Sequence, residues 1–575
     1  MSWIADRICT TAEGLEQESS MSVFTRELEK RQPRDISKRR WVFVPNDQLS
    51  DAIGPLAEDD PGSLGIVLVE SRWSLSRRPY HKQKIALLLS SMRHFALEQA
   101  ARGVAVRYLA IDAAYREALS PLIPELGTLT AMDPAERELR EDLRPLAESG
   151  ALRLVAHQGW LTSREQFLSA AGKSPLWRMD SFYRRVRRES GILMEDGKPA
   201  GGRFSLDAEN RLPWHGDPPA PTPPDFPVDR ITKEVGSLVL DAYAQHPGRL
   251  RLDTIPAGRA EALELYAWAK RSCLRWFGPY EDAMSSLSRT LFHTRLSPLL
   301  NIHRLLPGEV LADVQALYIP LASKEGFIRQ ILGWREFVRH IHLETEGFRD
   351  LPAGRPPLQA GPGDGGFGRW RERPWTPPEG PPELDWGAAP SFFSAQAPLP
   401  PAFWGETSGL ACLDTVLHGV WEEGYSHHIT RLMILSNLAT LLDVSPRELT
   451  DWFWAAYTDA YDWVVEPNVL GMGTYAAGDL MSTKPYVSGT PYIVKMSDYC
   501  RQCAFHPKTN CPVSGLYWAF LERHGRALTA NPRMKLVLAS AARRSKAKKE
   551  ADSRLFRAVS SRLAAGERLT PSGLS

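Results

Sequence analysis

Cysteine is scarce in this chain: there are six among 575 residues. That density excludes a disulfide scaffold, and sparse thiols fit a reducing compartment where they serve metals. No run of about 18 apolar residues occurs, which excludes a membrane-spanning helix and any membrane partner. The opening stretch M-S-W-I-A-D-R-I-C-T-T-A lacks the apolar core of a secretory signal, so a cytoplasmic location is expected. Charge of one sign is also missing, since 70 Lys and Arg face 68 Asp and Glu for a formal net charge of +2. Nucleic-acid binding would therefore need locally clustered cations, because the chain as a whole attracts little.

What is present is apolar and aromatic. Hydrophobic residues make up 43% of the chain, enough for a globular protein of two or three domains. The 18 tryptophans first read as a large aromatic core. Residues 1–39 are polar, with little periodicity, and read as an N-terminal extension of uncertain order. Over residues 40–160, strand-like runs (W-V-F-V-P, L-G-I-V-L-V-E, V-A-V-R-Y-L-A) alternate with a helical stretch such as H-K-Q-K-I-A-L-L-L-S-S-M-R-H-F. That alternation predicts a doubly wound parallel sheet, whose ligand site would lie at the strands' carboxyl ends, near Asp47, Gln48 and Glu70.

Residues 161–231 read as a connector carrying the basic run F-Y-R-R-V-R-R. Arg184, Arg187 and Arg188, with Arg185, mix positive charge with aromatics in the way phosphate contacts require. From 232 to 535 the apolar spacing is helical, so the fold class is α/β followed by a large all-α domain. A Pro- and Gly-rich insertion at 351–402 interrupts it, and 536–575 form a basic C-terminal extension.

Four cysteines lie in the stretch from Trp404 to Trp518: Cys412 alone, then Cys500, Cys503 and Cys511 in C-R-Q-C-A-F-H-P-K-T-N-C-P. The short C-x-x-C loop lets thiolates converge on one centre. Spacing leaves the centre open between zinc, with His506 as a spare ligand, and an iron–sulfur cluster needing four soft thiolates. A zinc-stabilised DNA-binding protein without photochemistry is the reading of a different class.

The ordered motifs W-x7-C-L-D, G-Y-S-H-H-I-T-R-L-M, D-W-F-W, D-A-Y-D-W-V, K-P-Y-V-S-G-x2-Y and Y-C-x2-C-x7-C-P resemble one family. It is the iron–sulfur-containing bacterial cryptochrome and photolyase family, also called prokaryotic (6-4) photolyases, and the resemblance runs from about residue 40 to about 535. It implies an FAD in the helical domain, held by Tyr280, Thr294, Leu296, Ser297, Arg431, Asp459 and the segment at Val465. It implies a [4Fe–4S] cluster on Cys412, Cys500, Cys503 and Cys511, with Cys9 and Cys273 free. The α/β domain of such proteins commonly holds a ribityl lumazine antenna. The substrate implied is UV-damaged DNA, acted on by a monomer, with light-driven repair of (6-4) photoproducts as the activity. A blue-light photoreceptor of the same fold is the alternative.

The resemblance also assigns roles. His428 becomes the proton donor, with His427 in support, because a hydroxyl must migrate between the two bases of this lesion and histidine titrates near neutral pH. Tyr486 and Tyr492 would line the lesion pocket, and Trp334 and Arg335 would lie near flavin and DNA. Trp452 and Trp404 would form the inner and outer steps of flavin photoreduction. Three positions depart from the pattern: Phe453 replaces a tyrosine, Val465 replaces an acid with Glu466 displaced by one, and a second acid beyond Glu70 is missing. With Phe453 unable to relay charge, a bypass through Trp454 or Trp463 is expected.

Overall fold

The computed structural model describes residues 22–172, 176–352 and 387–574. Five strands form one sheet: β1 (Arg40–Phe43), β2 (Leu64–Ser71), β3 (Ala105–Ile111), β4 (Leu129–Met132) and β5 (Leu152–Val155). All pair in parallel, in the order β3-β2-β1-β4-β5. The chain switches direction at β1, as in doubly wound sheets.

Every residue of β2 is buried, which parallel strands covered on both faces require. Strand alternation sorts the side chains into two cores. Trp41, Phe43, Val67 and Val69 point to one face, and Leu139, Leu143 and Leu146 of helix Arg137–Glu148 cover it. Val42, Ile66 and Leu68 point to the other, under helix Lys82–Ala101, and that core runs on into the helical part of the chain. One apolar mass therefore joins sheet and helices.

Specific polar contacts fix how the two parts meet. Lys84 reaches across to the carbonyls of Trp454 (3.2 Å) and Ala460 (2.6 Å). Asp462 accepts from the backbone N–H groups of Arg137 (2.6 Å) and Glu138 (3.4 Å), capping a helix of the α/β part from the helical part. Asp462 opens the helix Asp462–Glu466 that also carries Val465.

Several expectations need correction. The described end of the N-terminal extension is ordered: Ser22 caps helix Val23–Arg31, and Phe24 and Leu28, one turn apart, bury against the main core. That i,i+4 pair is short, which is why no periodicity is evident in the sequence. Residues 353–386 of the insertion, and Cys9, lie outside the described residues. The C-terminal extension is helical, and it packs in part against the rest of the chain. Val559 and Leu563 of helix Lys546–Ala564 are buried, and the Leu569 N–H donates to Ser408 O at 2.8 Å. Gly409 makes that approach possible: it has φ +86°, and a Cβ there would sit 2.2 Å from Leu569 O.

Candidate functional site

A cavity of about 940 Å³ opens within the helical part. This is the upper end of the range for small-molecule sites. Three of its walls are π-helical turns, Arg329–Arg335, Arg431–Ser436 and Pro467–Gly473, whose extra residue per turn pushes side chains inward.

One wall carries most of the residues expected to hold a cofactor. Thr294, Leu296 and Ser297 lie where the short helix Ser297–Asn301 begins. Ser297 donates to Asp459 Oδ2 (2.6 Å), and Arg431 grips the same carboxylate through two bonds of 3.0 and 2.9 Å. Val465 faces the cavity, whereas Glu466 turns away to Arg447 (2.8 Å) and His342 (3.1 Å). The acid next to Val465 is thus withdrawn from the cavity by its own ion pairs. Tyr280 is a correction: it does not line the cavity but stacks on Phe292 and donates to Asp217 O at 3.2 Å. Glu281 and Asp282 line the cavity in its place.

The histidine wall holds three rings. His427 stacks on His293 (centroids 4.3 Å apart, 4° between planes), and His428 meets His293 edge-on at 5.3 Å. Burial holds His293 and His427 neutral, well below the ordinary histidine range, and neighbouring imidazoles act in the same direction. His293 Nε2 and His427 Nδ1 are buried with no partner. The His428 ring is exposed to the cavity. It nevertheless lies deep enough that desolvation, followed by Arg329 and Arg431, lowers its pKa. The two guanidiniums thus favour neutral His428.

Tyr486 and Tyr492 line the outer part of the cavity. Beside them Asp282 is raised to about 7 by burial and by Glu281 and Asp207. His293 and Asp282 went unnoticed in the sequence, although both stand within segments singled out for their neighbours.

The cations divide unexpectedly. Arg184 and Arg188 are exposed, Arg184 paired to Asp180 and Arg188 lying over Phe204. Arg187 is a correction: it is fully buried and donates to the carbonyls of Ile192, Leu193 and Phe204, so it reaches no DNA. It lies one turn beyond Tyr183, on the inner stripe of helix Met179–Ser190. Arg335 is buried too, bonded to Glu336 (3.1 Å) and packed on Trp160 and Trp463; it faces the cavity and not the surface. At the rim, Lys484 has no hydrogen bond or ion pair among the described residues, and the Arg533 guanidinium donates to Thr483 Oγ1 (2.9 Å). Burial, then Arg533 and Arg211, lower the Lys484 pKa, which marks three cations crowded together.

The cysteines Cys412, Cys500, Cys503 and Cys511 gather around one place. Burial raises the Cys412 thiol, and Cys511, Cys500 and Cys503 add to the effect by proximity. Among the described residues no group of three or more His, Cys, Asp or Glu converges as ligands of a single metal ion. Cys273 is separate, buried and free.

Aromatic rings leave the cavity by two routes. Phe453 lines it and abuts Trp452 (5.1 Å), and from there Trp421 (6.0 Å) and Trp404 (5.6 Å) follow in series. On another side Trp463 lines the cavity and meets Trp160 at 4.9 Å. The expected bypass through Trp454 fails, because Trp454 lies outside the cavity under the guanidinium of Arg78 at 3.6 Å.

The sheet's carboxyl end is closed by internal contacts. Glu70 accepts two bonds from Arg93 Nη2 (3.1 Å each), one from its Nε (3.2 Å) and one from Tyr108 (2.8 Å), and Gln48 donates to Met132 O. Asp47 is buried with both carboxylate oxygens unpartnered, and burial raises its pKa to about 7.

Comparison with known proteins matches this architecture. The family described as deoxyribodipyrimidine photo-lyase-related proteins matches residues 42–253. The chain is 34% identical over 525 residues to the (6-4) photolyase of Agrobacterium fabrum, covering 88% of this chain and 96% of that one. Its fold resembles the crystal structure of a bacterial class III photolyase from Agrobacterium tumefaciens (TM-score 0.51, 15% identity, 92% and 99% of the two chains). It also resembles the cryptochrome of Synechocystis sp. PCC6803 (TM-score 0.50, 14% identity, 92% and 100%).

Proposed function

Because the chain belongs to the bacterial photolyase-related family that includes the (6-4) photolyase of Agrobacterium fabrum, we propose that it repairs (6-4) photoproducts in UV-damaged DNA with light. The observation that carries this reading is the three-histidine wall on the same cavity that the segment 294–297 lines. A cyclobutane dimer needs an electron and no comparable proton, whereas a (6-4) lesion needs both.

The residues present fit FAD. The cavity is large enough, and Thr294, Ser297, Asp459 and Arg431 give one wall of it the polar groups that a charged, phosphate-bearing occupant needs. Thr294, Ser297 and Arg431 would hold the diphosphate, and Val465 would lie against the ring system. Bound FAD, once reduced, would supply the light-driven electron. The chain's task is to admit a flipped-out lesion, orient it against Tyr486 and Tyr492, and move a proton. Lys484, Arg533 and Arg211 would take the phosphates of the damaged strand, in place of the connector arginines.

The electrostatics of His428 make proton donation depend on binding. Arg329 and Arg431 oppose its protonation. Negative charge from a diphosphate at Arg431 and a phosphodiester at the rim offsets both, so substrate brings its own acid into the protonated form. The four cysteines would hold a [4Fe–4S] cluster, which spreads its ligands around a multi-atom core where no single-ion site converges. No antenna follows from this reading, since Glu70 and Gln48 already have protein partners. The same fold would serve a blue-light photoreceptor, and Phe453 and Val465 are the observations that favour that second reading.

The test is direct. Reduced protein is illuminated with DNA carrying one (6-4) product, and the return of intact bases is measured by chromatography. Photoreduction without repair would transfer the chain to the photoreceptor reading.

A further inference from the structure

Two tryptophans assigned to flavin photoreduction, Trp404 and Trp452, make no ring contact with each other among the described residues; a third lies between them. Trp421 packs edge-on against Trp452 (6.0 Å, 87°) and stacks on Trp404 (5.6 Å, 24°). We propose that Trp421 is the obligatory bridge by which electrons pass from Trp404 to Trp452. This rests on the flavin reading of the cavity.

Distance alone would choose another route. Trp463 faces the cavity directly, and its contact with Trp160 is closer, at 4.9 Å. Charge decides against it. Arg335 lies 4.0 Å from the Trp160 ring centre and 5.4 Å from that of Trp463, and Arg339 lies 4.4 Å from Trp160. A tryptophan that gives up an electron becomes a cation, and two guanidiniums in contact with the pair oppose that change in a low-dielectric interior. The indole Nε1 of both rings is also buried without an acceptor.

Trp421 and Trp452 have the opposite surroundings. Among the described residues no cation lies over either ring. Both indoles donate to one oxygen, the carbonyl of Phe403, at 2.9 and 2.8 Å. Its negative end faces the positive charge that develops on either ring. A carbonyl is far too weak a base to remove the indole proton, so the vacancy stays mobile and moves on. His81 stacks on Trp421 (5.8 Å, 4°), and burial holds its pKa at about 4, so it adds no charge. The Trp421 carbonyl is itself fixed by the Arg249 N–H (2.8 Å) and His81 Nε2 (3.0 Å), which keeps the ring in register.

The electrons balance as follows. With flavin bound, Trp452 would give up one electron toward it under light; Trp421 would refill Trp452, and Trp404 would refill Trp421. Trp404, half-buried, would release its indole proton to water and be restored by a hydrogen atom (one electron and one proton) from an external thiol, which leaves as a thiyl radical.

The experiment uses the full flavin-loaded chain with excess thiol under blue light. Trp421→Phe should lower the photoreduction rate at least tenfold, with the transient tryptophan radical confined to Trp452 and lost by recombination. Trp421→Tyr should recover part of the rate, since tyrosine can be oxidised. Trp160→Phe, which removes the outer ring of the other route without touching the cavity lining, should photoreduce at the parent rate. Repair by protein reduced with dithionite should not change in any of these variants. Parent-rate photoreduction in Trp421→Phe would overturn the proposal, as would a large loss in Trp160→Phe. A parent that photoreduces through Trp421 but repairs nothing keeps the bridge and removes the repair reading. A parent that holds no flavin removes both.

Discussion

Two sides of the cavity are built from similar residues and treat charge in opposite ways. Around His428, Trp463 and Trp160 stand Arg329, Arg335, Arg339 and Arg431. Around Trp452 and Trp421 stand apolar side chains, a carbonyl and a neutral imidazole. The first side repels a positive charge on its own rings and suits an anionic substrate. The second can carry a positive vacancy. Ring chemistry is shared, and the difference in role lies in the neighbouring guanidiniums.

The largest expected effect lies on the cationic side. His428→Ala should lower (6-4) repair by about two orders of magnitude or more, the usual scale for general acid catalysis. Photoreduction should persist, measured as flavin bleaching, because that path leaves by the other side. If both fall together, the two sides are not separate.

Trp452→Phe tests the neutral side. Photoreduction should drop about tenfold or more, equivalent to about 1.4 kcal/mol in the rate-limiting barrier. Repair by chemically reduced protein should stay at the parent rate, and a parallel loss of repair would blur the division.

The cysteines adjoin the neutral side, since Cys412 and Trp421 share helix Ala411–Glu423. Cys412→Ala should remove iron from the purified protein and lower its melting temperature, because a cluster ties distant segments together. Normal iron content would take Cys412 out of the ligand set.

The smallest effect concerns one carboxylate held by two arginines. Arg77 and Arg78 hold Glu138, and Arg78 also covers Trp454. Burial alone would raise the Glu138 pKa, but the two arginines lower it to about 2. With the folded value depressed, its stabilisation is full above the ordinary glutamate value of about 4.3 and is lost as pH falls toward 2. Glu138→Gln should therefore lower stability at pH 7 and flatten the loss of melting temperature between pH 4.5 and 2. An unchanged acid slope would show that other carboxylates carry it.

Particular residues show how far sequence reading reached. The Arg431–Asp459–Ser297 contact joins three residues taken from motifs far apart in the chain, and the structure brings them within hydrogen-bond distance. Tyr280 fails because a motif gives a position along the chain, not the direction of a side chain. Arg187 was open to a better reading, since Phe182, Tyr183 and Val186 mark the buried stripe on which it lies. Nothing near Trp421 in the sequence ties it to Trp404 or Trp452.

By itself the sequence determined what repeats locally. Alternating strands and helices dictate a parallel sheet with two covered faces, because side-chain period and burial are properties of short segments. Its motifs likewise supplied the two adjacent histidines, the C-x-x-C loop and the family resemblance. Only the tertiary structure decided which tryptophans touch, which arginines face them, which cations gather at the rim and where Glu466 turns. Those outcomes depend on contacts between residues up to hundreds of positions apart, and electrostatic effects follow distance in space, which no spacing along the chain encodes.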